Sequence, residues 1–106
     1  MSTVVTTLSQ LADSTPFKAV VDGEDVLVVR IGSDVHAVDD TCTHAEVSLS
    51  EGEVVDCTIE CWLHGSAFSL ATGAPTGPPA SRPLAVHTVT LGDQADPEVT
   101  VTLGRS

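Results

Sequence analysis

The chain has 106 residues, enough for one domain around one hydrophobic core. Fifteen Asp and Glu stand against four Lys and Arg, giving a formal net charge of −11. That balance argues against nucleic acid or an anionic membrane surface as partner, and fits either a basic protein partner or plain solubility.

Aromatic residues make up only 3% while Val and Thr are abundant, which favours strands over helices. Val4 to Leu8 is expected to form a first strand, followed by one helical turn from Ser9 capped by the Ser9 hydroxyl. Phe17 to Val21 reads as a strand, Asp22 to Asp25 as a hairpin turn, and Val26 to Ile31 as a central strand buried on both faces, because it is almost continuously apolar. Gly32 to Asp34 turns into a strand over Val35 to Val38, completing an expected antiparallel meander. Ser50 to Glu53 is a turn. Val54-Val55 and Thr58-Ile59 are short strands, and Phe68 to Leu70 is another, ending in a turn at Ala71 to Gly73. Pro75 to Pro83 holds too many prolines to join a ladder. Val86 to Leu91 and Val99 to Leu103 alternate as a closing hairpin. No internal repeat is visible. Met1 to Gln10 has neither the charge nor the apolar run of a secretory signal, no stretch could span a membrane as a helix, and three Cys is an odd count; a cytoplasmic protein is expected.

The chemistry is concentrated in Cys42-Thr43-His44 and Cys61-Trp62-Leu63-His64, written C-x-H-x16-C-x-x-H. Two thiols and two imidazoles arrive in two short pairs, each able to sit on one tight loop. Thr41 and Thr43 flank Cys42, and Gly65-Ser66 follows His64, where the backbone must turn closely. Two metal centres use this donor set. A structural zinc site takes two Cys and two His, but zinc motifs usually pair like with like. A [2Fe–2S] centre of the two-Cys, two-His kind takes both thiolates on one iron and both imidazoles on the other, which suits two mixed pairs facing each other.

Thr41 to Leu49 and Glu60 to Ser69 resemble the two ligand loops of Rieske proteins, and the whole chain is similar to the small Rieske-type ferredoxins of bacterial aromatic-ring dioxygenases, of the biphenyl or naphthalene kind. The resemblance implies an all-β Rieske fold, one domain over 1–106. An antiparallel sandwich or barrel base would be built from the two chain ends, with a smaller cluster-binding subdomain at about 41–81 inserted. It implies one Rieske [2Fe–2S] cluster held by Cys42, His44, Cys61 and His64, with the histidines at the exposed tip. Ser66 matches a hydroxyl that relatives place near the cluster, while Phe68 stands where high-potential relatives have Tyr. Val47 and Leu63 occupy the positions of their loop-bridging disulfide, so a low potential is implied. Trp62 is expected to pack beneath the second loop, and Pro78 and Pro79 to lie in a loop covering the cluster.

The implied function is a soluble one-electron carrier, not an enzyme. It would pass electrons from a flavin reductase to a terminal non-haem iron oxygenase, as a monomer. A catalytic Rieske oxygenase would need a further mononuclear iron site, for which the chain is too short. From Ile31 to Ser81 there are eight acids (Asp34, Asp39, Asp40, Glu46, Glu51, Glu53, Asp56, Glu60) and no Lys or Arg, so partners with basic docking patches are expected. The alternatives are a stand-alone Rieske ferredoxin serving iron–sulfur assembly or another redox partner, and a zinc-binding interaction module. Cys57 is expected to be a small buried hydrophobe without a partner, and His36 and His87 to be strand residues rather than ligands.

Overall fold

The computed structural model describes residues 2–32, 34–40, 48–61, 67–76 and 83–103. Among the described residues, nine strands follow in order: β1 (Ser2–Thr7), β2 (Phe17–Val21), β3 (Glu24–Ile31), β4 (Asp34–Asp39), β5 (Glu53–Val55), β6 (Thr58–Glu60), β7 (Ala67–Ser69), β8 (Val86–Leu91) and β9 (Glu98–Thr102). Six form one antiparallel sheet in the order β1-β9-β8-β4-β3-β2, and β5-β6-β7 form a second. The edges β1 and β2 lie beside one another, so the large sheet nearly closes into a barrel. The expected base built from both chain ends is present. β1, however, pairs with β9 across a bulge between Val4 and Thr6, so the expected opening meander starts only at β2.

The middle of strand β3, Val26 to Val29, is apolar at four successive residues because both of its faces are buried. Val26 and Val28 pack inside the large sheet with Val21, Ala37, Val99 and Val101. Leu27 and Val29 face the other way, into a second core with Val38, Leu49, Ile59, Phe68 and Leu70 beneath the small sheet. Side chains alternate across a strand, so one strand can serve two cores only if both faces are apolar. Each fully buried Val, Leu, Ile or Phe contributes about 1.5–3 kcal/mol, so the second core is what fastens the small sheet to the barrel. Asp22-Gly23 makes the two-residue β2–β3 turn with φ of 51° and 79°, the geometry that matches strand twist and favours Gly at its second position.

The helical turn near the N-terminus is a 3-10 turn, Leu8–Gln10, that begins one residue early and has no side-chain cap. Ser9 is not the cap: its hydroxyl donates to Asp96 Oδ2 at 2.6 Å and its N–H to Asp96 Oδ1 at 2.9 Å, tying the N-terminal segment to the β8–β9 loop. The Ser9 hydroxyl, then the Ser9 N–H, hold the Asp96 carboxyl below its ordinary value of 3.8. A carboxyl with a lowered folded-state pKa stabilises the fold above its ordinary value and ceases to do so as pH falls through the lowered one. Asp96→Asn is therefore expected to be less stable than the parent at neutral pH and to converge with it in strong acid. Denaturant unfolding of both proteins across a pH series checks this, and a constant difference at every pH would contradict it.

No described helix is long and apolar enough to cross a membrane.

Candidate metal centre

Of the predicted ligands, Cys61 lies among the described residues. Cys42, His44 and His64 lie outside them, as do Glu46, Val47, Trp62, Leu63, Ser66, Pro78 and Pro79. These residues fall in 41–47, 62–66 and 77–82, and the described residues bounding those stretches show where the three begin and end.

The second stretch is bounded by paired strands. Glu60 of β6 sits opposite Ala67 of β7, so the chain leaves the small sheet at Cys61 and re-enters it beside the point of departure. The third stretch leaves from the same point. Thr76 donates its N–H (2.8 Å) and its hydroxyl (3.2 Å) to the Ala67 carbonyl, and Pro75 bridges to Phe68. The residues after the first stretch also meet this end. Leu49–Glu51 is a 3-10 turn, and Gly52 behind it packs so tightly on Glu60 that a Cβ there would stand 1.9 Å from the Glu60 carbonyl oxygen. No other residue fits that approach without moving the backbone. All three stretches thus open onto one end of the small sheet.

Cys61 stands at this junction with its thiol 1% exposed and in no disulfide. It packs against Leu49, Ile59, Phe68 and Leu70. A buried thiol beside an apolar floor, at the root of a loop that also carries His64, fits a metal–sulfur centre shielded from water on one side. The donor set of two thiolates and two imidazoles in mixed pairs fits the [2Fe–2S] group described above. Phe68, the position at which the resemblance implies Tyr in high-potential relatives, is fully buried in the same core as Cys61.

The other candidate residues do not compete. His36 is in β4 and His87 in β8, as expected of strand histidines. His87 is buried, with Nε2 2.9 Å from Asp39 Oδ1. Cys57, expected to be buried without a partner, is half-buried in the β5–β6 turn, packed against the second core, with Sγ 3.7 Å from His36 Nε2 across the gap between the two sheets. Among the described residues, no three His, Cys, Asp or Glu come together as a metal would require.

Asp40 is one of the eight acids between Ile31 and Ser81, and its burial sets it apart from a docking role. It is 1% exposed. Its carboxylate accepts from the Ser48 hydroxyl and, at 2.8 Å, from the Ser50 N–H, while its carbonyl accepts the Leu49 N–H. No local pattern marks such a residue, because its partners lie eight to ten positions away and nothing periodic links them.

The family model for the Rieske [2Fe-2S] domain matches residues 1–89. The chain is 47% identical over 62 residues to the ferredoxin CarAc of Metapseudomonas resinovorans, a match that spans 58% of this chain and 58% of that ferredoxin. The structure is similar to the ferredoxin of carbazole 1,9a-dioxygenase from Nocardioides aromaticivorans IC177, with a TM-score of 0.86 and 38% identity over 93% of this chain and 96% of that one. It is equally similar to a chain in the complex of reduced oxygenase and oxidized ferredoxin in carbazole 1,9a-dioxygenase, with a TM-score of 0.87 and 36% identity over 94% of this chain and 91% of that one.

Proposed function

Because the chain belongs to the Rieske [2Fe–2S] domain family, we propose that it is the ferredoxin component of an aromatic-ring dioxygenase system, a one-electron carrier between a flavin reductase and a terminal non-haem iron oxygenase. The observation that carries the proposal is the near end-to-end match to a dioxygenase ferredoxin, over 96% of that chain, together with a complete C-x-H and C-x-x-H donor set. The chain carries a Rieske-type [2Fe–2S] cluster, which supplies reversible uptake of one electron. In this reading Cys42 and Cys61 hold one iron and His44 and His64 the other, within a cluster-binding subdomain at about 41–81. The protein's own part is to bury Cys61, exclude water along the Leu49–Phe68 floor, and present the histidine end to partners. The site of action is the cytoplasm and the working form is a monomer.

The charge on the docking face is smaller than the sequence implies. Asp40 is buried and Asp39 meets His87. Asp34 starts β4, at the opposite end of that strand from Asp40, and Asp56 lies in the β5–β6 turn, at the far end of the small sheet from Cys61. Glu51, Glu53 and Glu60 remain close to Cys61, with Glu53 directly opposite Glu60 across β5 and β6. Two like charges in that register cost stability, up to about 1 kcal/mol, which a basic partner would offset. Glu46, two residues past His44, belongs to the same face in this reading.

Reduction by the reductase is expected to slow roughly tenfold from low to physiological salt, where fields reach only ~8 Å. Glu46→Lys should slow it further, whereas Glu98→Lys in β9 should not. Stopped-flow reduction of the three proteins across a salt series is the test. Rates that ignore salt, or rise with it, would leave the acids as a solubility feature.

A further inference from the structure

We propose that Asp40 is a positioning residue for the cluster. Its carboxylate closes the loop that carries Cys42 and His44, and its charge, shared with Lys18, sets the cluster's potential. The proposal rests on the ligand assignment above.

The closure follows from the contacts. Asp40 directly follows β4, and its carbonyl accepts the Leu49 N–H while its carboxylate takes the Ser48 hydroxyl and the Ser50 N–H. Three bonds therefore pin 48–50 back to residue 40, joining the two ends of the stretch that holds Cys42 and His44 in sequence. Behind them, the Asp40 N–H donates to the Asp25 carbonyl at 3.3 Å, anchoring the latch to the barrel.

A latch alone does not require a charge. Asn could accept from the Ser50 N–H and donate to the Ser48 hydroxyl, without the cost of removing a carboxylate from water. Asp40 instead places a carboxyl group there at 1% exposure, with both oxygens accepting. The compensating cation is Lys18, whose Nζ is 3.9 Å from Asp40 Oδ2, half-exposed, and shared with Asp25 Oδ2 at 3.8 Å. The negative end of this pair is buried and the positive end is wet, so the carboxylate's field is only partly cancelled. Asp40 is two residues from Cys42, which limits their Cα separation to about 7 Å. A charge at that range in a low-dielectric surrounding opposes arrival of an electron.

The test uses the cluster-loaded protein. Asp40→Asn keeps the latch and removes the charge, and Lys18→Met removes the opposite charge at a half-exposed site. Voltammetry is expected to move the potential up in Asp40→Asn and down in Lys18→Met. A purely structural residue gives no such pair of opposite shifts. Asp40→Ala is expected to speed hydrogen exchange at the Ser50 amide in the loaded protein, with no such change in Asp40→Asn. Unshifted potentials, or shifts of the same sign, overturn the electrostatic role. Unchanged Ser50 exchange in Asp40→Ala overturns the latch. Cys42→Ser measured alongside separates the two levels: if it keeps its cluster, the ligand assignment itself has failed.

Discussion

Cys42→Ser and Cys61→Ser are each expected to abolish cluster incorporation, with complete loss of the visible spectrum, while Cys57→Ser keeps the full spectrum. The contrast comes from where the thiols lie. Cys61 is buried at the junction of the three loop ends and packs on Leu49 and Phe68. Cys57 sits in the turn at the other end of the small sheet, against His36. A Ser hydroxyl at residue 42 or 61 is harder to deprotonate than a thiol and a poorer ligand for a soft iron–sulfur core. Metal binding is also folding free energy where a site is assembled from loops, so both variants should lose order in the small sheet. The barrel core around Val26, Val28, Val99 and Val101 does not include Cys61 and should persist. Iron and sulfide content and the visible spectrum of the three variants decide the matter. Loss of the cluster in Cys57→Ser with retention in Cys42→Ser would reverse the assignment.

The second large effect is on the potential, which should fall as pH rises through the alkaline range. In the proposed ligation, His44 and His64 would hold oxidised iron, which would acidify their outer N–H groups, and loss of such a proton would stabilise the oxidised form. One proton coupled to one electron gives a slope of about 59 mV per pH unit. A zinc site has no one-electron couple at all, and an all-cysteine centre has no imidazole N–H to lose. Phe68 in place of a Tyr, and Val47 and Leu63 in place of a disulfide, put the neutral-pH value near the low end of the Rieske range, about −150 mV. A potential flat from neutral to strongly alkaline pH contradicts histidine ligation, and a neutral value above about +100 mV contradicts the low-potential assignment.

The parts of this fold that were legible in the sequence are those set by local chemistry. Asp22-Gly23 between apolar runs gives a hairpin, and four buried residues in succession at Val26 to Val29 give a strand between two cores. The donor types and spacing of the two Cys/His pairs named a chemistry, and the one described member, Cys61, lies buried beside Leu49 and Phe68 as that chemistry requires. Pairings made across the chain were not. β1 finds β9 rather than β2, and Ser9 finds Asp96 rather than its own helical turn, because each partner lies almost the whole chain away. Charge was the least legible property. A count from Ile31 to Ser81 treats eight acids as equal, although burial withdraws Asp40 and the fold sends Asp34 and Asp56 away from Cys61. The Cys57–His36 contact was hidden for a related reason, since it joins two sheets whose relative placement only the shared core around Leu27, Ile59 and Phe68 determines.

The central claim is that two histidines and two cysteines hold one [2Fe–2S] cluster that takes up one electron. It is tested most directly by electron–nuclear double resonance on the reduced protein, prepared with nitrogen-labelled histidine. The account predicts the paramagnetic signal of a one-electron-reduced cluster with two strongly coupled histidine nitrogens, both lost from the spectrum of a Cys61→Ser preparation that no longer holds iron. A colourless protein with no signal on reduction, or a reduced cluster with no coupled histidine nitrogen, would contradict it.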